Sequence, residues 1–167
     1  MCIRDRLRAL IVRAKQQDIE QAANQLRAAL AQELAAGLIS VETEDLDIIV
    51  RINETGSFAS GSAVLKDDFA PVMAKIAVSI DELPGKILIG GHTDDVPIAT
   101  ENYRSNWELS ASRAVTVAHY LLQDFAIEPS RIEIEGHADT QPLAPNDTPE
   151  HRTRNRRVEI VLSQGDV

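Results

Sequence analysis

The sequence predicts an α/β fold, a two-layer sandwich in which helices cover one face of a mixed β-sheet. Residues 86–91 and 131–136 alternate apolar and polar side chains as strands do, and residues 106–125 between them have a helical period. A strand–helix–strand unit favours parallel neighbours joined by a right-handed crossover. Together with a strand at residues 46–52 and a helix at residues 67–83, these patterns predict a βαβαβ core, which a last alternating segment at residues 156–163 follows.

The elements before this core add a long helix and a strand pair. Residues 5–37 have a helical period and contain no glycine or proline before Gly37, which suits a helix C-terminus. Residues 38–43 and 46–52 read as two paired strands, and residues 67–83 as a helix. We therefore expect an N-terminal linker helix in residues 1–40 and one domain in residues 41–167. The apolar positions of the first helix are Leu7, Ile11, Ala14, Ile19, Ala22, Leu26, Leu30 and Leu34.

Composition excludes several classes of protein. The net charge of −9 argues against a general nucleic-acid binder, which needs a basic surface. One cysteine, Cys2, rules out an internal disulfide framework. No apolar run reaches the roughly 18 residues of a membrane helix. The run at residues 151–157 holds four arginines, and it reads either as a solvated face or, because a strand follows, as a site that holds anions.

A sequence echo marks the region where we expect the function. The segment KILIGGHTDDVPI at residues 86–98 returns 45 positions later as RIEIEGHADTQPL at residues 131–143. Each copy is a strand that runs into a polar turn with a carboxylate. Two such strand ends in one small domain are expected to lie side by side, so that their polar residues converge.

The first chemistry to consider is a metal site. His92, Asp94, His137 and Asp139 offer two imidazoles and two carboxylates, a set that zinc accepts in hydrolases. No HExxH motif accompanies them, and a strand-end histidine bonded to the backbone is the commoner arrangement. Serine and cysteine nucleophiles lack the surroundings that activate them, since no G-x-S-x-G turn is present. We therefore expect neither a metal nor an enzyme.

A second constellation joins Asp94 to Asn106 and Arg113. The two helical residues are seven apart, which places them on one helix face. A carboxylate and a guanidinium across a small gap are complementary to a zwitterion, because each binds the opposite charge. The alternative is an internal salt bridge between Asp94 and Arg113 that only fixes the loop.

Four ordered motifs resemble the OmpA-like peptidoglycan-binding domain family over about residues 46–163. They are Gly91-His92-Thr93-Asp94, Asn106-x-x-Leu109-Ser110-x-x-Arg113-Ala114, the segment 136–142 and Asn155-Arg156-Arg157-Val158-Glu159-Ile160.

The resemblance implies that Asp94 and Arg113 hold the amine and carboxylate of diaminopimelate in the stem peptide of the cell wall. Asn106 and Leu109 would shape the pocket, and Arg157 would add a donor. It further gives supporting positions to Thr93, Asp139 and Asn155.

Within that family, the long loop at residues 96–105 and the segment SNWELS are similar to the branch that anchors flagellar motor stators. This implies a non-enzymatic wall anchor without cofactor, in the periplasm, homodimeric and joined to a membrane partner subunit through a transmembrane segment absent from this sequence. The alternatives are an anchor of an outer-membrane lipoprotein or porin, or a metal-dependent wall hydrolase.

Overall fold

The computed structural model describes residues 2–164, which form a five-stranded sheet covered by helices. The elements in chain order are α1 (Ile3–Ala29), α2 (Ala31–Ala35), β1 (Ile39–Glu44), β2 (Asp47–Asn53), α3 (Glu54–Ser57), α4 (Ala70–Asp81), β3 (Lys86–His92), α5 (Asn106–His119), β4 (Ile132–Gly136), α6 (Pro149–Asn155) and β5 (Arg157–Ser163).

The sheet has the mixed topology that the sequence predicted. Its strand order is β1-β2-β5-β3-β4, and only the pair β3 and β4 is parallel. These two strands are the echoed segments, and their registers match so that Gly91 lies opposite Gly136. The expectation that the two strand ends lie side by side is thus confirmed.

The core lies between the sheet and the helices, and part of the N-terminal helix belongs to it. Ile19, Ala23 and Leu26 of α1 are buried in the same apolar cluster as the inward side chains of the sheet. Leu7 and Ile11, near the start of α1, are instead 55% and 56% exposed. The second half of the predicted linker helix is therefore docked on the domain, whereas its first half extends away from it.

The observed elements differ from the predicted ones in three places. The first helix is interrupted at Leu30, where the backbone leaves helical geometry, so that it forms α1 and α2. The short helix α3 lies directly after β2, in a segment to which the sequence patterns assigned neither a helix nor a strand. Helix α6 occupies most of the arginine-rich run, begins at Pro149, and is capped by the Thr148 hydroxyl, which accepts a hydrogen bond from the His151 N–H. No helix within residues 2–164 is long and apolar enough to span a bilayer.

Candidate functional site

The end of β3 and the start of α5 hold the central residues of the site. Asp94 lies two residues after the end of β3, and its Oδ1 atom accepts a hydrogen bond from the Val96 N–H at 3.0 Å, an Asx-type turn. Asn106, the first residue of α5, donates to the Val96 carbonyl at 3.0 Å and to the Asp94 carbonyl at 3.5 Å. Thr93 donates its N–H to the Ala138 carbonyl at 2.8 Å. The turn after β3 is thus fixed both to α5 and to the turn after β4.

Asp94 and Arg113 lie at the two ends of a chain of four charged side chains. Asp94 Oδ2 pairs with Arg156 Nη1 at 2.7 Å. Arg156 Nε lies 3.3 Å from Glu54 Oε1, and the other oxygen of Glu54 accepts from Arg113 Nη1 at 2.6 Å. The ion pairs of residues 2–164 do not include the direct Asp94–Arg113 salt bridge that was the alternative interpretation, because Arg156 and Glu54 stand between them.

Arg113 is the most enclosed member of this chain, with 2% of its surface exposed. Its Nε donates to the Ser62 carbonyl at 2.8 Å and its Nη2 to the Ala59 carbonyl at 3.2 Å. The guanidinium carbon lies 5.2 Å from the centre of the Phe58 ring, a cation–π contact. The Gly/Ser loop at residues 56–62 therefore forms the cradle of Arg113, a role that the sequence did not indicate.

The remaining predicted residues divide between the site and its supports. Leu109 is buried on α5, one turn after Asn106. Asn155 is fully buried and binds the loop after β4 through the amides of Leu143 and Ala144 and the Ala144 carbonyl. Asp139 is exposed on the turn after β4.

Arg157 is directed away from Asp94. Its Nη2 donates to the Gln141 carbonyl at 3.0 Å and its Nε to Glu159 Oε1 at 2.7 Å. Arg156 and Arg157 are consecutive, so the extended backbone sends their side chains to opposite faces of the sheet. The arginine brought to Asp94 is Arg156. Its partner Glu54, which belongs to no recognised motif, was missed because their ion pair depends on the fold and has no local sequence signal.

The two histidines of the echo stack on each other beyond this site. The rings of His92 and His137 are 4.8 Å apart and nearly parallel at 18°. Burial, and next the positive charge of Arg157, lower the pKa of His92 to about 4, so its ring is neutral at pH 7. His137 Nε2 lies 2.7 Å from Glu135. Among residues 2–164, no group of three histidine, cysteine, aspartate or glutamate side chains is arranged to hold a metal ion.

The fold and the placement of the four motifs define a class of protein domain, and comparison with known proteins identifies the family to which that class corresponds. The OmpA family model matches residues 57–156, and the chain belongs to the OmpA family. Motility protein B of Bacillus subtilis is 27% identical over 150 residues, which cover 89% of this chain and 58% of that protein.

Two solved structures resemble the chain over most of their length. A MotB-like protein from Desulfovibrio vulgaris has a TM-score of 0.84 at 32% identity, over 92% of this chain and 98% of the other. The cell wall anchor of the T6SS from Pseudomonas aeruginosa has a TM-score of 0.77 at 40% identity, over 83% and 96%. The chain spans little more than half of the curated relatives that it matches, 52% and 58% of two Bacillus subtilis proteins.

Proposed function

We propose that this domain binds peptidoglycan non-covalently, through the free amino acid centre of diaminopimelate in the stem peptide. The observation that carries the proposal is the position of Asp94 and Arg113 at opposite ends of one nearly buried chain of charges. A carboxylate at one end suits an ammonium group, and a guanidinium at the other suits a carboxylate. An α-amino acid centre presents both charges on one carbon.

The surrounding residues support recognition rather than reaction. Asn106 fixes the turn that carries Asp94, and Leu109 is buried on α5 one turn later. The side chains of Asp94 and Arg113 are held by ion pairs and by backbone groups, an arrangement that suits the binding of charges. We therefore propose an anchor without catalytic activity.

The assembly that this anchor serves is proposed from its relatives. Motility protein B and the MotB-like protein favour a flagellar stator subunit, with the domain in the periplasm, a second copy beside it, and a membrane partner subunit contacted through a transmembrane segment. Two linked copies on one wall would strengthen a weak single contact by avidity. The 40% identity to the cell wall anchor of the T6SS supports a second candidate, an anchor for a secretion machine.

Binding to purified sacculi tests the proposal. We expect the wild-type domain to sediment with sacculi, and Asp94→Asn and Arg113→Ala to lose most of this binding because each removes one end of the charge pair. Glu33→Gln is the matched control, since it breaks a partly exposed ion pair with Lys75 that does not belong to the chain of four charges. Undiminished binding by a folded Asp94→Asn protein would refute the assignment.

Two further measurements separate the alternatives. Release of soluble muropeptides during the incubation would indicate a hydrolase, whereas an anchor releases none. Deletion of the gene in its host would abolish swimming with normal assembly of flagella if the protein is a stator subunit, and would abolish effector secretion if it anchors a secretion machine.

A further inference from the structure

We propose that Glu54 is an internal competitor for the ligand, occupying on Arg113 the place of the ligand carboxylate, while Arg156 occupies the place of the ligand ammonium on Asp94. The inference rests on the proposed function and concerns how the site is opened and which ligands it rejects. When the zwitterion enters, Glu54 would leave Arg113, and Arg156 would leave Asp94.

The contacts of Arg113 indicate which partner a ligand has to displace. Two of its three hydrogen-bond acceptors within residues 2–164 are the backbone carbonyls of Ser62 and Ala59, which hold the guanidinium at 2.8 and 3.2 Å. The third acceptor is the carboxylate of Glu54 at 2.6 Å, which a rotation of the Glu54 side chain can remove. Because Arg113 is almost fully enclosed, a ligand carboxylate reaches it only in exchange for Glu54.

The contacts of Asp94 are arranged in the same way. Its Oδ1 atom is held by the Val96 N–H, whereas Oδ2 pairs with the Arg156 side chain. The Arg156 side chain is 27% exposed, so it has solvent into which it can move. An ammonium group that replaces it keeps a charge-assisted hydrogen bond on Asp94.

The two side chains to be displaced already lie close to each other. Arg156 Nε and Glu54 Oε1 are 3.3 Å apart, although that nitrogen is buried and makes no hydrogen bond. After the exchange, Asp94 binds the ammonium, Arg113 binds the carboxylate, and Glu54 pairs fully with Arg156. Every charge stays paired, and the net charge of the site does not change.

This exchange makes the site selective for a zwitterion. A ligand that lacks the carboxylate cannot replace Glu54, and one that lacks the ammonium leaves Asp94 with Arg156. A ligand with only one of the two charges can make only one of the two exchanges, so it gains only one of the two charge-assisted contacts and binds more weakly than a zwitterion does. Amidation of the diaminopimelate carboxyl group is therefore expected to weaken binding.

Calorimetric titration of Glu54→Gln with defined muropeptides tests the inference. The probes are a disaccharide tripeptide that ends in diaminopimelate, and the same compound with the carboxyl group at its free amino acid centre converted to an amide. A neutral amide binds Arg113 less strongly than a carboxylate does, so we expect Glu54→Gln to bind the free acid about fivefold more tightly than wild type. With the amide probe we expect no gain.

The controls keep this test independent of the proposed function. Glu33→Gln should bind as wild type does, and Asp94→Asn should lose both probes. If Asp94→Asn binds like wild type, the proposed function fails. If Asp94→Asn loses binding but a folded Glu54→Gln binds no more tightly than wild type, the competitor role is overturned while the function stands.

A second variant guards against loss of the fold. Thermal unfolding shows whether Glu54→Gln is native, and if it is not, Glu54→Asp decides. Aspartate keeps the charge but is one methylene shorter, so that it cannot hold Arg113 as closely. About twofold tighter binding of the free acid would support the competitor role, and unchanged or weaker binding would overturn it.

Discussion

Gly91 on β3 lies directly against the carbonyl oxygen of Ser110 on α5, with no space for a side chain between them. This close approach lets the start of α5 sit over the end of the strand. The same contact brings the first residue of α5, Asn106, to the turn that carries Asp94. The geometry of the site therefore depends on a glycine that touches no ligand.

Gly91→Ala should destabilise the domain by about 3 kcal/mol, because the new methyl group overlaps a backbone carbonyl that cannot rotate away. For a chain of this size we expect the midpoint of thermal unfolding to fall by roughly 6–12 °C. Gly56→Ala is the control: its methyl group would lie 2.5 Å from Leu38 Cδ2, the end of a flexible side chain. Equal losses in the two variants would contradict the backbone clash.

Arg157 is expected to contribute to the stability of the fold, whereas the neighbouring Arg156 belongs to the chain of four charges at the site. Its guanidinium is buried between Glu159, the Asn155 carbonyl and the Gln141 carbonyl, so Arg157→Ala leaves two carbonyls without this donor and leaves Glu159 with Arg51 as its remaining arginine partner. The loss of a buried ion-pair partner costs about 3 kcal/mol, which urea denaturation measures directly. Exposed Arg154→Ala is the matched control and should change the free energy of unfolding by less than about 0.5 kcal/mol. A similarly small change for Arg157→Ala would show that its contacts contribute little.

Local periodicity was sufficient to predict the sheet, the parallel echo strands and the helix that carries Arg113. It was insufficient to predict which way the arginines of residues 151–157 face, because a single residue, Arg156, lies between the end of α6 and the start of β5. If the strand began one residue earlier or later, Arg156 and Arg157 would exchange faces of the sheet. Glu54 was missed for another reason. Its ion pair with Arg113 joins residues 59 positions apart, and only the folded chain brings them together.

The Asn155 side chain is expected to order the loop after β4. It binds the amides of Leu143 and Ala144, the Ala144 carbonyl and Asn146 Oδ1, at distances of 2.8 to 3.0 Å. Asn155→Ala leaves these groups without their partner, and for the buried amide and carbonyl of Ala144 the cost is about 1–3 kcal/mol each where water does not replace the side chain. Hydrogen exchange of the Leu143 and Ala144 amides should therefore accelerate by at least about tenfold, since a tenfold change corresponds to about 1.4 kcal/mol.

Exchange across the sheet strands of Asn155→Ala provides the internal control. If the strands exchange as rapidly as the loop, the variant has lost the whole fold. Unchanged protection of the two amides would show that other contacts hold the loop.

The lowered pKa of His92 predicts how the free energy of unfolding depends on pH. Its pKa is about 4 in the folded protein, against 6.5 for an unperturbed histidine, because burial and the charge of Arg157 disfavour the imidazolium ion. The unfolded chain therefore takes up the proton at higher pH than the native state does. The stability contributed by neutral His92 is complete above pH 6.5 and is lost as the pH falls from 6.5 towards 4, by about 2–3 kcal/mol at pH 4.5.

Urea denaturation of wild type and His92→Gln at pH 7.5 and pH 4.5 isolates this contribution from that of the carboxylates. The drop in the free energy of unfolding between the two pH values should be about 2–3 kcal/mol smaller in His92→Gln, because glutamine does not titrate. His119→Gln, at an exposed position on α5, should show the same drop as wild type. Equal drops in wild type and His92→Gln would mean that the buried imidazole takes up its proton without cost, and the packing of His92 against His137 and Arg157 would then need another explanation.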